Sequence, residues 1–519
     1  MKNRINLKAG AMVLVLVAGL AACSVTDKKE TNQTTVENRT TRPNIIVIYA
    51  DDLGFGDLSS YGATELKTPN FDRISNEGIR FTNGYATSAT CTPSRYALLS
   101  GEYPWRNKKA HILPGNAPLL FDTSKQTLPS MLKGAGYKTA VIGKWHLGLG
   151  GENLDWNGEV APGPNEVGFD YSYIMASTND RVPTVYVENH KVVRLDPNDP
   201  IEVSYKENFP GEPTGRENPE LLKIHPSHGH DMSIHNGISR IGYMRGGKSA
   251  LNIDENMADT ILFRSKEFIT ENKDNPFFLF YALHQPHVPR VPHPRFAGKS
   301  GMGPRGDVIL EADWCVGQLL NTLDRLGIAD NTIVVFSSDN GPVLDDGYKD
   351  DANEKLGEHT PWGPLRGGKY SLFDAGAHVP FMVRWPGTIQ PGVSDALVCQ
   401  MDLLASFAKL TGQENQSTDS EDILDALTGK SKTGRENLVI EATGRVCYRE
   451  GDWIMIPPHK GRKINNKWVN IETGNSPDYQ LYNVAQDPGQ QQNLAEKFPD
   501  RVKSMEETLH ATRRNTPNS

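Results

Sequence analysis

Between residues 43 and 411, short apolar runs alternate with longer stretches whose apolar positions recur at helical spacing. Ile45-Ile-Val-Ile-Tyr-Ala50 predicts a strand buried on both faces. A helix is predicted over 128–135, followed by a strand over 139–142. The pattern over 254–272 predicts a long amphipathic helix leading into a strand at 276–282. A second long helix over 309–326 feeds a strand at 332–336. Near-continuous apolar strands separated by helices argue for a mostly parallel sheet covered on both faces, an α/β domain spanning 43–411. Residues 147–253 are rich in Gly, Pro, Asn and His and read as loops and small insertions over the sheet's rim. Residues 412–434 are polar and read as a linker. The stretch 435–519 reads as a smaller α+β unit with short strands and a terminal helix near 496–513.

Composition narrows the class. The chain has 519 residues and a net charge of −8, so a basic face for nucleic acid is not expected. Lys2, Arg4 and Lys8 precede a short apolar run, too short to span a bilayer as a mature helix. The run ends in Leu20-Ala21-Ala22-Cys23, which resembles a bacterial lipoprotein cleavage box. That makes 1–22 a lipoprotein-type signal peptide and 23–42 a disordered tether lipidated at Cys23. An ordinary cleavable signal with an incidental Cys is the alternative. The expected location is exported and membrane-anchored, in the periplasm or on the cell surface at the outer membrane. Cys315, Cys399 and Cys447 have wide, irregular spacings that suggest neither a disulfide framework nor a zinc site.

The chemistry gathers where strands end. The predicted strands run into Asp51-Asp52, into Gly143-Lys144-Trp145-His146, into His284-Gln285-Pro286-His287 and into Ser338-Asp339-Asn340-Gly341. In a parallel sheet these carboxyl ends share one rim, where ligands bind. Asp51, Asp52, Asp339 and Asn340 make an all-oxygen set suited to a hard divalent cation, although Asp residues at strand ends also cap turns. Pro93 suits the first turn of a helix and Gly101 its end, which puts Cys91 at a helix N-terminus with Arg95 one turn on. Lys144 and His146 face the same way in extended chain. Lys369 lies in a glycine-flexed loop, Leu365-Arg-Gly-Gly-Lys369.

The pentapeptide Cys91-Thr-Pro-Ser-Arg95 resembles the Cys-x-Pro-x-Arg signature of the formylglycine sulfatases. The likeness extends over 43–411 through Pro364-Leu-Arg-Gly-Gly-Lys369, Val379-Pro-Phe381 and Arg384-Trp-Pro-Gly387. It continues in the smaller unit at Leu481-Tyr-Asn-Val484 and Asn493-Leu494. The resemblance implies an alkaline-phosphatase-like fold and a Cys91 oxidised to an aldehyde by a maturation enzyme. It implies one divalent cation, calcium with magnesium as the alternative, held by Asp51, Asp52, Asp339, Asn340 and the oxidised Cys91. Arg95, Lys144 and Lys369 would surround the sulfate. His287 would protonate the leaving group, with His284 as its rival, and His146 would act as base.

The substrate is less legible. His228, His230 and His235 lie in a His-rich segment which, with Arg245, either grips sugar groups or is an ordinary polar loop. A sulfated oligosaccharide or polysaccharide is expected, either algal (ulvan, carrageenan, porphyran) or a host glycan (glycosaminoglycan, mucin). A phosphate or phosphonate monoester hydrolase and an inactive carbohydrate-binding lipoprotein are the rival readings.

Overall fold

The strand Asn44–Ala50 is buried at every position, and its alternation explains the layers on either side. Ile46 and Ile48 pack with Ile261, Leu262, Ile309 and Leu319 from the helices Met257–Asn272 and Gly303–Leu326. Ile45, Val47 and Tyr49 belong to the opposite layer, with Leu98, Met131 and Phe407 from the helices Cys91–Ser100, Leu128–Gly134 and Leu403–Thr411. A computed structural model describes residues 42–514 of the chain, so the expected signal peptide at 1–22, Cys23 and almost all of the expected tether lie outside the described residues. The described residues form one compact unit.

The central sheet has ten strands, in the order Gly392–Cys399, Gly78–Tyr85, Phe381–Arg384, Thr332–Ser338, Asn44–Ala50, Phe277–Ala282, Lys138–Lys144, Tyr171–Met175, Tyr186–Glu188 and Lys191–Val192. Thr332–Ser338, Asn44–Ala50, Phe277–Ala282, Lys138–Lys144 and Tyr171–Met175 are mutually parallel. The four predicted strand ends therefore do share one rim. Phe381–Arg384 runs antiparallel to both its neighbours, so the sheet is mostly parallel and not purely so. Tyr171–Met175, a strand of the central sheet, corrects the reading of 147–253 as loops and small insertions over the rim: its mix of Tyr and Ser gives no continuous apolar run, yet four of its five residues are buried.

A smaller antiparallel sheet is formed by Asn437–Ala442, Arg445–Glu450, Trp453–Ile456 and Gln480–Asn483, with the helix Pro499–Arg514 beside it. Its apolar residues do not close on themselves. Leu438, Tyr448 and Leu481 share a cluster with Tyr85, Ala89, Leu372 and Val379 of the larger part. The segment 412–434 is likewise no free linker. Ile423, Ala426 and Leu427 are buried in the main core, and the Asp419 carboxylate accepts from the Tyr103 backbone N–H at 2.9 Å.

One buried cluster fixes the loop that leaves the first strand. Asp57 accepts from Arg305 at 2.8 and 2.7 Å, from His359 Nε2 at 2.9 Å and from the Gly54 backbone N–H at 2.7 Å. Burial resists ionisation there, but Arg305 and His359 outweigh it and hold the Asp57 carboxyl down at about 2.

Candidate active site

Asp51 and Asp52 follow the first strand directly, and the chain turns between them. Asp52 has φ of 64°, a left-handed conformation that costs a non-glycine residue about 1–3 kcal/mol. The turn lets neighbouring carboxylates serve one place although their strand directions oppose. The Asp52 backbone N–H donates to Asp339 Oδ1 at 3.2 Å, and Asn340 Nδ2 donates to Asp52 Oδ1 at 2.8 Å. These four side chains are buried together.

Three cations face them. Arg95 holds Asp339 Oδ2 through Nε at 3.0 Å and Nη2 at 2.8 Å, and its Nη2 lies 3.9 Å from Asp51 Oδ1. Lys144 donates to Asp51 Oδ2 and lies 3.9 Å from Asp339 Oδ2. Lys369 bridges Asp52 Oδ2 at 2.8 Å and Asp346 Oδ2 at 2.7 Å. The glycines before it make this possible, with φ of 91° at Gly367 and 154° at Gly368. Burial alone would lower the Lys369 ammonium, but Asp346 and Asp52 raise it well above its ordinary value.

Cys91 opens a helix whose ten residues are all buried, with Gly101 closing it in the left-handed region. Cys91 Sγ lies 3.3 Å from His146 Nδ1. His146 Nε2 is 2.9 Å from the Leu113 carbonyl, so the neutral ring carries its proton on Nε2 and turns the bare Nδ1 toward Cys91. Burial first, then Lys144, pushes His146 well below the usual histidine value and keeps it neutral. Burial likewise pushes the Cys91 thiol up, against Lys144 and Lys369.

A small cavity of about 50 Å³ reaches this centre, lined by Cys91, Asp180, His230, His287, Lys369 and Tyr370 among others. His287 Nε2 stands 3.9 Å from Asp52 Oδ2, and its Nδ1 is 2.6 Å from the Val288 carbonyl. Burial, then Lys369 and Lys144, hold it well below the ordinary histidine value. His284 is buried and pushed down to about 3 by burial and then Lys144, and it does not line the cavity. Of the His-rich segment, His230 lines the inner cavity, with Nε2 3.0 Å from Asp180 Oδ2. His228 and His230 both line a wider outer cavity of about 600 Å³. The other two candidates are corrected: His235 is buried against Thr184 Oγ1 at 2.6 Å, and Arg245 is exposed, paired with Glu202 and lying over Phe209. Neither lines either cavity.

Asp180, Arg181, Asp346 and Tyr370 complete the inner cavity and escaped the sequence reading. Asp180 and Arg181 follow the strand Tyr171–Met175, so the same strand-end logic would have found them had that strand been seen.

The residues present suit a divalent cation. Asp51 Oδ1 and Asn340 Oδ1 are buried without a hydrogen-bond partner, a costly state that a cation would relieve. Asp51, Asp52 and His287 also bring ligand atoms within 4.8 Å of one another. Four carboxylates, counting Asp346, confront only three cationic side chains. Hard oxygen donors favour calcium or magnesium over softer metals.

Residues 43–413 match the family model described as Sulfatase. An N-acetylgalactosamine-6-O-sulfatase of Bacteroides thetaiotaomicron is 49% identical over 502 residues, 96% of this chain and 97% of its own. The steryl-sulfatase of Rattus norvegicus is 32% identical over 415 residues, 75% of this chain and 70% of its own. A solved structure from work on the metabolism of multiple glycosaminoglycans by Bacteroides thetaiotaomicron is 50% identical, with a TM-score of 0.90 over 92% of this chain and 100% of that one.

Proposed function

The chain belongs to the sulfatase family and is a sulfuric ester hydrolase of sulfated carbohydrate; from that premise we propose that it removes the 6-sulfate of N-acetylgalactosamine in glycosaminoglycan, with an oxidised Cys91 as nucleophile. The observation that carries the mechanism is the buried Cys91 at a helix start, with His146 at 3.3 Å and Arg95, Lys144 and Lys369 around it. Of the two glycan sources expected from sequence, the similarity to the bacterial sulfatase favours glycosaminoglycan over algal polysaccharide.

The aldehyde derived from Cys91 adds water to become a gem-diol. One of its hydroxyls gives up its proton to solvent as its oxygen attacks the sulfur, the S–O bond to the sugar breaks, and His287 gives a proton to the departing oxygen and is reprotonated from solvent. The negative sulfate opposes the depressing effect of Lys369 and Lys144 on His287 and favours its protonated form. Lys144 and Lys369 lie against the sulfate oxygens and offset their charge. His146 Nδ1 then takes the proton of the remaining hydroxyl, the C–O bond to sulfate breaks, and the aldehyde returns. The sum is ester plus water to alcohol plus hydrogen sulfate. Asp51, Asp52, Asp339 and Asn340 would hold a calcium ion, which supplies positive charge against the sulfate and the attacking oxygen.

Co-expression with a maturation enzyme, followed by assay of sulfate release, tests this. Free sulfate from N-acetylgalactosamine 6-sulfate, absent in Cys91→Ala, is the expected result. Release from algal polysaccharides only would sink the substrate assignment. Faster turnover of an aryl phosphate than of the aryl sulfate would favour the phosphoester reading. For location, we propose lipidation at Cys23 and export. Labelled palmitate should enter the chain and be lost in Cys23→Ala; equal labelling of both would refute the anchor. Among the described residues no helix is long and apolar enough to cross a membrane.

A further inference from the structure

The outer cavity shares His230, Asp346 and Tyr370 with the inner one and extends from them toward the smaller sheet. Its far wall comes from the loop between the strands Trp453–Ile456 and Gln480–Asn483. Within that loop, residues 457–471 carry Lys460, Arg462, Lys463 and Lys467 and no acidic residue, in a chain whose net charge is −8. Lys460 and Arg462 line the cavity, and among the described residues neither forms a salt bridge. Arg445, on the same wall, differs. It donates to Asn475 Oδ1 at 2.5 Å, to the Thr473 carbonyl at 3.2 Å, to the Tyr370 carbonyl at 3.0 Å and to Thr443 Oγ1 at 2.8 Å, and so braces the wall. The one carboxylate lining the cavity, Asp346, is already held by Lys369 and by Tyr370 Oη at 3.0 Å. The wall therefore presents two unpaired cations among amides and hydroxyls of Thr443, Asn465 and Asn466.

The inner cavity at Cys91 continues past His230, Asp346 and Tyr370 into the outer one, so a saccharide whose sulfate is held at Cys91 would extend toward His228 and the basic wall. We propose that Lys460 and Arg462 form a second-anion subsite, which binds a carboxylate or sulfate on the sugar adjoining the one that is desulfated. This rests on the carbohydrate-sulfatase reading and extends it to polyanionic chains. Guanidinium takes the paired oxygens of either group, and ammonium adds a point charge. Removal of solvent from the cavity by the bound saccharide strengthens both.

The test uses the matured enzyme with four saccharides: N-acetylgalactosamine 6-sulfate, a disaccharide joining it to a hexuronate, the same disaccharide with the carboxyl reduced to an alcohol, and one whose second sugar carries sulfate in place of carboxylate. The expected KM for at least one anionic disaccharide is about tenfold or more below that for the reduced one, a difference of about 1.4 kcal/mol or more. The double variant Lys460→Ala/Arg462→Ala should erase that difference while kcat and the monosaccharide KM move less than about twofold. The disaccharide that shows the gain identifies the anion. Equal KM values across the disaccharides, or a gain that survives in the double variant, would overturn the subsite. Absence of sulfate release from all four would overturn the functional reading itself, a separate and recognisable failure.

Discussion

Cys91 and His146 carry the sharpest expectations. Cys91→Ala should lower kcat by about 10⁴-fold or more, because no other group near the cavity can form the covalent link. His146→Ala should lower it by about 10²–10⁴-fold, with a distinct signature. If His146 acts in the second step, the first step still proceeds, and a sulfated protein should accumulate in the intact-mass spectrum. A slow variant with no added sulfate would contradict that role. These residues were legible because their chemistry is local: Cys91 sits in a five-residue signature, and His146 lies two residues past a strand end. Asp346 was not. It approaches Lys369 at 2.7 Å across 23 residues of irregular loop, a span over which no hydrophobic period sets direction. His235 and Arg245 show the converse error, since a His-rich segment reports composition and not which imidazole turns inward.

Among the elements, the Asp57 cluster ties the turn after the first strand to the helix Gly303–Leu326. Arg305→Ala should cost about 3–5 kcal/mol in urea unfolding, the usual result of removing one partner of a buried ion pair, here with His359 and the Gly54 N–H left on Asp57. The pH dependence has a definite sign. The folded Asp57 titrates near 2, below its unfolded value near 3.8, so its contribution is fully present above about 4 and is lost as pH falls through about 2. Asp57→Asn should flatten stability across that window; an unchanged slope would show that Asp57 is not its source. The long elements were legible because their periods are strong. Gly303–Leu326 starts six residues earlier than its apolar pattern, since Pro304 begins a turn that buries Arg305 and Asp307, polar residues the pattern cannot count. Tyr171–Met175 was missed for the related reason that its buried positions include Ser172 and Tyr173, which break the apolar run.

Taken whole, the molecule joins its two sheets through one apolar cluster. Removal of 437–514 should expose Tyr85, Leu372 and Val379 and leave an aggregating fragment; a soluble, cooperatively melting remainder would disprove the shared core. The linker reading of 412–434 failed here because polar residues can be held by buried partners, as Asp419 is by the Tyr103 backbone N–H. Calcium should raise the melting temperature after chelation and restore activity, and ion at about 100 times Kd should add about 2.7 kcal/mol. Asp51→Asn should lose both responses, and a melting temperature indifferent to calcium would remove the ion from the account. The burial of Cys91 also sets an order of events. Cys91 is 2% exposed and is reached only through a cavity of about 50 Å³, too narrow for a second protein's active site to close around it. The proposed oxidation of the thiol is therefore expected while the chain is still unfolded, and a copy that folds first should stay unconverted for as long as it stays folded.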